Sequence, residues 1–183
     1  MLLILFLQIV IFLCAMINTI KLTPDPTSRE GVVATLNGKT EKGYLYEPND
    51  IVTGKYVINR MSYDSDYTET ANDGGRVKFF KTRQMDAITT ATLIANLDEF
   101  NANVSEIWLN NSVKAKGIEF DGRTAFLNEN GKLMLVTSER ISEVPDNSTI
   151  LFNTDENGKF YNVYYCPNDT LAKKYINAQD ILG

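Results

Sequence analysis

The chain contains no histidine. That absence removes the usual general base at neutral pH, the Ser-His and Cys-His nucleophile pairs, and most zinc and haem sites. Cysteine is nearly as scarce. Cys14 lies inside an apolar stretch and Cys166 far downstream, so they cannot pair within a folded domain. Neither an internal disulfide nor a thiolate metal cluster is expected, which suits a reducing compartment. The sequence has no phosphate-binding glycine loop, Gly-x-Ser-x-Gly elbow, heptad array, repeat or low-complexity tract. Basic side chains are in the minority, 18 against 23 acidic, for a net charge of −5. An acidic surface argues against a nucleic-acid scaffold, which needs cations to neutralise phosphates, and against anionic lipid as a peripheral docking surface.

Charge is missing altogether from Met1 to Ile20, twenty residues in which Gln8 and Asn18 are the only strongly polar side chains. A helix of that length covers about 30 Å, the thickness of a bilayer's hydrocarbon core. A cleaved secretory signal would show a basic amino-terminal region, a shorter apolar segment and small residues before the cut. Here only the terminal amine is positive, and the candidate sites after Ala15 and Thr19 place Leu13 and Ile17 where a small residue belongs. A lipoprotein reading of Cys14 meets bulky Phe12 and Leu13. The expected organisation is a transmembrane anchor over 1–21, a Pro-containing linker over 22–31 and a β-rich globular domain over 32–183. The lipid bilayer is then a partner through residues 1–20. Lys21 and Arg29 flank the run on its carboxyl side only, which places the domain on the cytoplasmic or nucleoplasmic face.

The domain has enough chain for one real core. Turn signals recur between β-rich runs. Val32–Leu36 leads through Asn37-Gly38 to Tyr44–Glu47, and Lys55–Tyr63 and Val77–Lys81 read as strands separated by an acidic loop, Tyr63 to Gly75. Gln84 to Leu97 reads as an interior helix, with Met85, Ile88, Thr92 and Ala95 in one spacing family. Val104–Leu109 and Val113–Phe120 follow as strands. Thr124–Leu127 and Leu133–Thr137 flank Asn128-Glu129-Asn130-Gly131, and Thr149–Phe152 and Phe160–Cys166 flank Asp155-Glu156-Asn157-Gly158. Asn-Gly between β-rich runs is a hairpin signal, read here as a tight turn with positive φ at both central positions. A last helix is expected from Leu171 to about Leu182, capped by Asp169 or Thr170. The fold class is therefore α+β: a mostly antiparallel β domain with one interior and one carboxyl-terminal helix, preceded by a transmembrane helix.

Without histidine, catalysis would fall to carboxylates, Tyr, Lys or Cys166. Cys166 ends an apolar strand before Pro167 and reads as a buried structural thiol. Asp64, Asp66, Glu69 and Asp73 offer oxygen ligands, but the EF-hand pattern fails because Gly75 stands where a Glu is needed. Lys78-Phe79-Phe80-Lys81-Thr82-Arg83 interleaves cations and aromatics as single-strand-binding surfaces do, though an amphipathic strand has the same pattern. Trp108 reads as core, and the Tyr161–Tyr165 cluster as sheet packing or exposed interface tyrosine. Sequons at Asn103, Asn110, Asn147 and Asn168 read as ordinary Asn-rich loops. Catalytic, cofactor-binding and metal residues are accordingly expected to be none, with no nucleic acid and no small-molecule substrate as partner.

Two segments, Lys78-Phe79-Phe80-Lys81-Thr82-Arg83-Gln84-Met85-Asp86 and Glu106-Ile107-Trp108-Leu109-Asn110, follow an uncharged amino-terminal run on a His-free, Asn-rich chain. In this the sequence resembles the baculovirus per os infectivity factors, envelope proteins of the occlusion-derived virion. The resemblance implies a membrane-bound complex of several envelope proteins through which ingested virions enter midgut cells. It implies an envelope formed at the host nuclear membrane with the domain exposed on the virion, and it transfers no catalytic residue. Two other classes stay open: a membrane-tethered hydrolase built on carboxylates, and a secreted β-rich binding domain whose leader is removed.

Overall fold

The computed structural model describes residues 17–105, 122–137 and 140–177. Among these it is mostly antiparallel β with four short helices. The described residues form two compact units rather than one. Residues up to 22 and from 85 to 173 make the first, and those from 23 to 84 and from 174 onward make the second. The first strand, β1 (Ile20–Pro24), begins on the last residue of the uncharged run.

The second unit contains β2 (Arg29–Val33), β3 (Gly38–Lys39), β4 (Leu45–Tyr46), β5 (Ile51–Val52) and β6 (Val57–Ile58). These are followed by α1 (Arg60–Asp66), β7 (Tyr67–Asp73) and β8 (Arg76–Lys81). Its main sheet runs β6-β5-β2-β8-β7, and β3 pairs with β4 separately. The strands follow the period of two that a half-buried sheet requires. In β8, Val77 and Phe79 are buried while Arg76 and Lys78 are exposed, and in β2 Gly31 is buried between exposed Glu30 and Val32. Ile51, Ile58, Tyr63, Val77 and Phe79 make the core. Helix α1 starts where the Asn59 side chain accepts from the Ser62 backbone N–H at 2.8 Å, a standard amino-terminal cap.

The first unit continues with β9 (Met85–Thr89), α2 (Thr90–Ala95), α3 (Leu97–Asn103), β10 (Ala125–Leu127), β11 (Leu133–Val136) and β12 (Ile141–Glu143). It then adds β13 (Ser148–Thr154), β14 (Phe160–Pro167) and α4 (Asn168–Lys174), before β15 (Tyr175–Asn177) closes the described chain. Strands run in the order β14-β13-β9-β1, and β10-β11-β12 form a second sheet. Phe100, Phe152, Ile150, Leu93 and Leu135 are fully buried at its centre, with Ile17, Leu97 and Phe160 packed around them. Asn101 joins helix to sheet. Its Oδ1 accepts from the Thr124 and Ala125 N–H groups, and its Nδ2 donates to the Leu97 and Ala125 carbonyls, all within 2.9 Å.

Both expected long hairpins form, β10 with β11 and β13 with β14. Their turn chemistry differs from the expectation. Only Gly131 and Gly158 take positive φ, at 72° and 78°, whereas Asn130 and Asn157 do not. The side chain that opens each loop closes it instead. Asn128 Oδ1 accepts from the Asn130 and Lys132 N–H groups, and Asp155 Oδ1 from those of Asn157 and Lys159. Each is an Asx turn followed by one left-handed glycine.

Several expected elements are corrected. The helix over Gln84–Leu97 is strand β9 up to Thr89, and helical only from Thr90. Met85 to Ile88 are all buried, so both faces of this strand are covered and the alternation that marks a half-buried strand is missing. The acidic loop from Tyr63 to Gly75 is instead the end of α1, the whole of β7 and a Gly74-Gly75 turn. The strand over Lys55–Tyr63 shrinks to β6, since the Asn59 cap starts a helix. Val32–Leu36 does not pair with Tyr44–Glu47, because β2 is taken by β5 and β8. The carboxyl-terminal helix is α4, with Asp169 and Thr170 inside it rather than capping it, and Tyr175-Ile176-Asn177 turns extended. Residues 22–31, read as linker, carry the end of β1 and the start of β2.

Among the described residues no helix is long and apolar enough to cross a membrane. Residues 1–16 of the expected anchor lie outside the described set, and its last residues, from Ile20 on, are strand. Most of the Val104–Leu109 strand, all of Val113–Phe120, and Trp108 also lie outside it. Val104 itself makes a parallel bridge to Phe160.

Candidate functional site

Each unit places one polar assembly against its own core. In the first unit the centre is Asp86 of β9, whose side chain is 5% exposed. The β1–β9 register sets Lys21 opposite it. Lys21 Nζ donates to Asp86 Oδ2 at 2.7 Å, Thr154 Oγ1 to the same oxygen at 2.8 Å, and Thr19 Oγ1 to Oδ1 at 3.1 Å. A buried carboxylate that accepts from one cation and two hydroxyls is well satisfied, and it binds these elements together.

In the second unit, one end of the sheet's core face is lined by cations and phenols. Arg29 begins β2, Tyr67 begins β7 opposite Lys81 of β8, Tyr56 directly precedes β6 and Tyr175 begins β15. All five side chains are half-buried. The Tyr67 ring stacks on Tyr63 with centroids 5.8 Å apart and meets Phe79 edge-on at 5.6 Å. Arg29 Nη1 donates to the Tyr56 hydroxyl over 3.4 Å, and Lys81 Nζ lies 6.0 Å from the Tyr175 ring centre. Burial holds the Lys81 ammonium below its usual range, while nearby Asp66 works the other way. Burial also pushes the Tyr67 phenol well above the ordinary tyrosine value, and the neighbouring phenols Tyr56 and Tyr175 add to this. Tyr63 rises to about 12, first from burial and then from its hydrogen bond to Glu69.

The carboxylates flagged in the sequence do not converge. Asp64 pairs with Arg60 on the surface of α1, and Glu69 accepts from Tyr63. Asp66 is buried and held by Arg83 at 3.0 Å and by Ser65 at 2.7 Å. Asp73 lies at an open groove of about 470 Å³ on the solvent face of the sheet, alongside Glu30, Val32, Val52, Arg76 and Lys78. The Lys78–Glu30 pair, 3.4 Å apart and exposed on both sides, neutralises part of that face. Among the described residues, no three His, Cys, Asp or Glu side chains are placed to hold a metal ion.

The Lys78–Arg83 segment is an amphipathic strand with its continuation. Phe79 is fully buried, Lys78 points outward, and Lys81 and Arg83 join the polar end of the core face. Cys166 is buried, and its thiol donates to the Pro167 carbonyl at 3.7 Å. Tyr161, Tyr164 and Tyr165 are half-buried in β14, with Tyr165 accepting from Arg140 Nη2 at 3.0 Å. Asn103 spends its amide on the Glu99 carbonyl, and Asn168 accepts from Thr149. The sequence reading did not single out Arg29, Tyr56, Tyr67 and Tyr175 as a set. They come from separate elements and share no local motif. No family model, curated protein or solved structure matches this chain.

Proposed function

We propose that the chain is a single-pass membrane-anchored structural subunit of a viral envelope complex. It acts through contacts with other envelope proteins of that complex during oral infection of the host. The anchor is the part of the uncharged run that precedes Ile17, and the domain lies on the outer face of the virion, in an envelope drawn from the host nuclear membrane. The observation that carries this reading is how the run ends. Ile17 packs against the core of the first unit, and Thr19 and Lys21 both donate to buried Asp86. The apolar run therefore leads straight into a central strand with no free tether between. Removal of a leader after Thr19 would take Ile17 from the core and one donor from Asp86. The separation of the carboxylates supports an interaction role over a carboxylate hydrolase, since acid–base pairs must face a shared reacting atom.

The test is extraction of the full chain from its native membrane in mild detergent, followed by identification of the proteins that come with it. Stable co-purification with other envelope proteins is expected. A monomer that carries no partner would count against an assembly role.

A further inference from the structure

The solvent face of the second unit's main sheet carries two cross-strand rows that differ in how their charges are spent. In one row Ala71, Lys78 and Glu30 are neighbours on β7, β8 and β2, and Lys78 closes on Glu30 at 3.4 Å. In the next, Asp73 stands opposite Arg76, Arg76 opposite Val32, and Val32 opposite Val52. Asp73 and Arg76 are both exposed, and among the described residues neither side chain forms an ion pair or a hydrogen bond. Beside them Val32 is 50% exposed, although it is an aliphatic side chain on the central strand of five. All four residues line the open groove of about 470 Å³, a volume in the range of small-ligand sites.

We propose that this groove binds a free α-amino acid with an apolar side chain, its carboxylate on Arg76, its ammonium on Asp73 and its side chain over Val32 and Val52. The row presents an acid, a base and two aliphatics in that order, each one strand spacing of about 4.8 Å from the next. An α-amino acid carries both charges on one carbon, so it answers Asp73 and Arg76 together and leaves its side chain to cover the valines. An anion alone would meet Asp73 and Glu30, and a cation alone would meet Arg76 and Lys78. A purely apolar ligand would take both exposed charges out of water without pairing them. A quaternary ammonium zwitterion is recognised by aromatic faces, and no aromatic side chain lines the groove. The groove lies wholly within the second unit, and the proposal is independent of the anchored-subunit reading.

The test is titration of the full chain, in detergent micelles, with L-leucine, following the backbone amides of Val32, Val52 and Arg76 by nuclear magnetic resonance. Their shifts should saturate with a dissociation constant of about 1–10 mM, as befits an open site whose charges stay in contact with water. Isocaproate, which lacks the ammonium, and isoamylamine, which lacks the carboxylate, should each bind at least about threefold more weakly. Asp73→Asn and Arg76→Gln remove one charge each from an exposed row, so both should fold as the parent does and weaken leucine at least about threefold. Lys132→Gln, on the surface of the first unit, should bind as the parent does. The proposal is overturned if leucine moves none of these amides up to about 50 mM, where even a very weak site would fill. It is equally overturned if either analogue binds as tightly as leucine, or if leucine binds either variant as tightly as the parent.

Discussion

Lys21 Nζ lies 2.7 Å from Asp86 Oδ2, across the register of a central strand pair, and one partner is buried while the other is half in water. The asymmetry decides what each contributes. Asp86 also accepts from Thr19 and Thr154, so its carboxylate organises three segments of the first unit. Replacing Asp86 with Asn keeps the shape but removes the charge these donors answer, and should cost about 2–3 kcal/mol. Lys21→Gln should cost only about 1 kcal/mol, because the lysine side chain is 53% exposed and solvent screens the pair. Urea unfolding of the two variants measures the difference. Equal losses would mean that the hydroxyl bonds to Asp86 carry nothing.

Asn101 makes a different kind of joint, with both ends of one amide used twice. Asn101→Ala leaves the Thr124 and Ala125 N–H groups without their acceptor beside a fully buried core. A loss of about 2–3 kcal/mol is expected. Hydrogen exchange should show the change first at those two amides, with the β13–β14 pairing less affected.

Gly31 is needed for closeness rather than for a special backbone angle. A Cβ placed there would meet Ile51 Cγ2 at 2.8 Å and Phe79 Cε1 at 3.0 Å. Gly31→Ala should therefore destabilise the second unit by about 1–3 kcal/mol despite alanine's lower chain entropy. A thermal midpoint equal to the parent's would show that the sheet relaxes around the methyl group.

The phenols of the second unit give a pH signature. Tyr63 and Tyr67 both have folded-state values above the unfolded value of about 10, chiefly through burial. The stability they contribute is fully present below pH 10 and is lost as pH rises through about 12, where Tyr63 ionises. Phenolate absorbance should lag that of a denatured control across this window and then rise together with unfolding. Titration of every tyrosine near the unfolded value, with the fold intact, would contradict the burial described.

How far the sequence told this in advance depended on whether the signal was local. The β10–β11 and β13–β14 hairpins were legible because Asn128 to Lys132 and Asp155 to Lys159 carry their own turn chemistry. Strand β9 was not, since a strand buried on both faces loses the alternation that identifies it and borrows a helix-like spacing. The stretch from Tyr63 to Asp73 looked like a solvated loop by its acidic content. Its Asp64 and Asp66 are instead tied to Arg60 and Arg83, and Thr68 and Thr70 suit a strand. Of the cation and tyrosine assembly only Lys81 and Arg83 stood out beforehand. Arg29, Tyr56, Tyr67 and Tyr175 become neighbours through tertiary pairing alone, and no window of sequence contains them.

The most direct test of the central claim, an anchor that stays and runs into the sheet, is the intact mass of the protein extracted from its membrane. The expected mass retains the whole run from Leu2 to Ile20. A mature chain that begins after Ala15 or after Thr19 would contradict it.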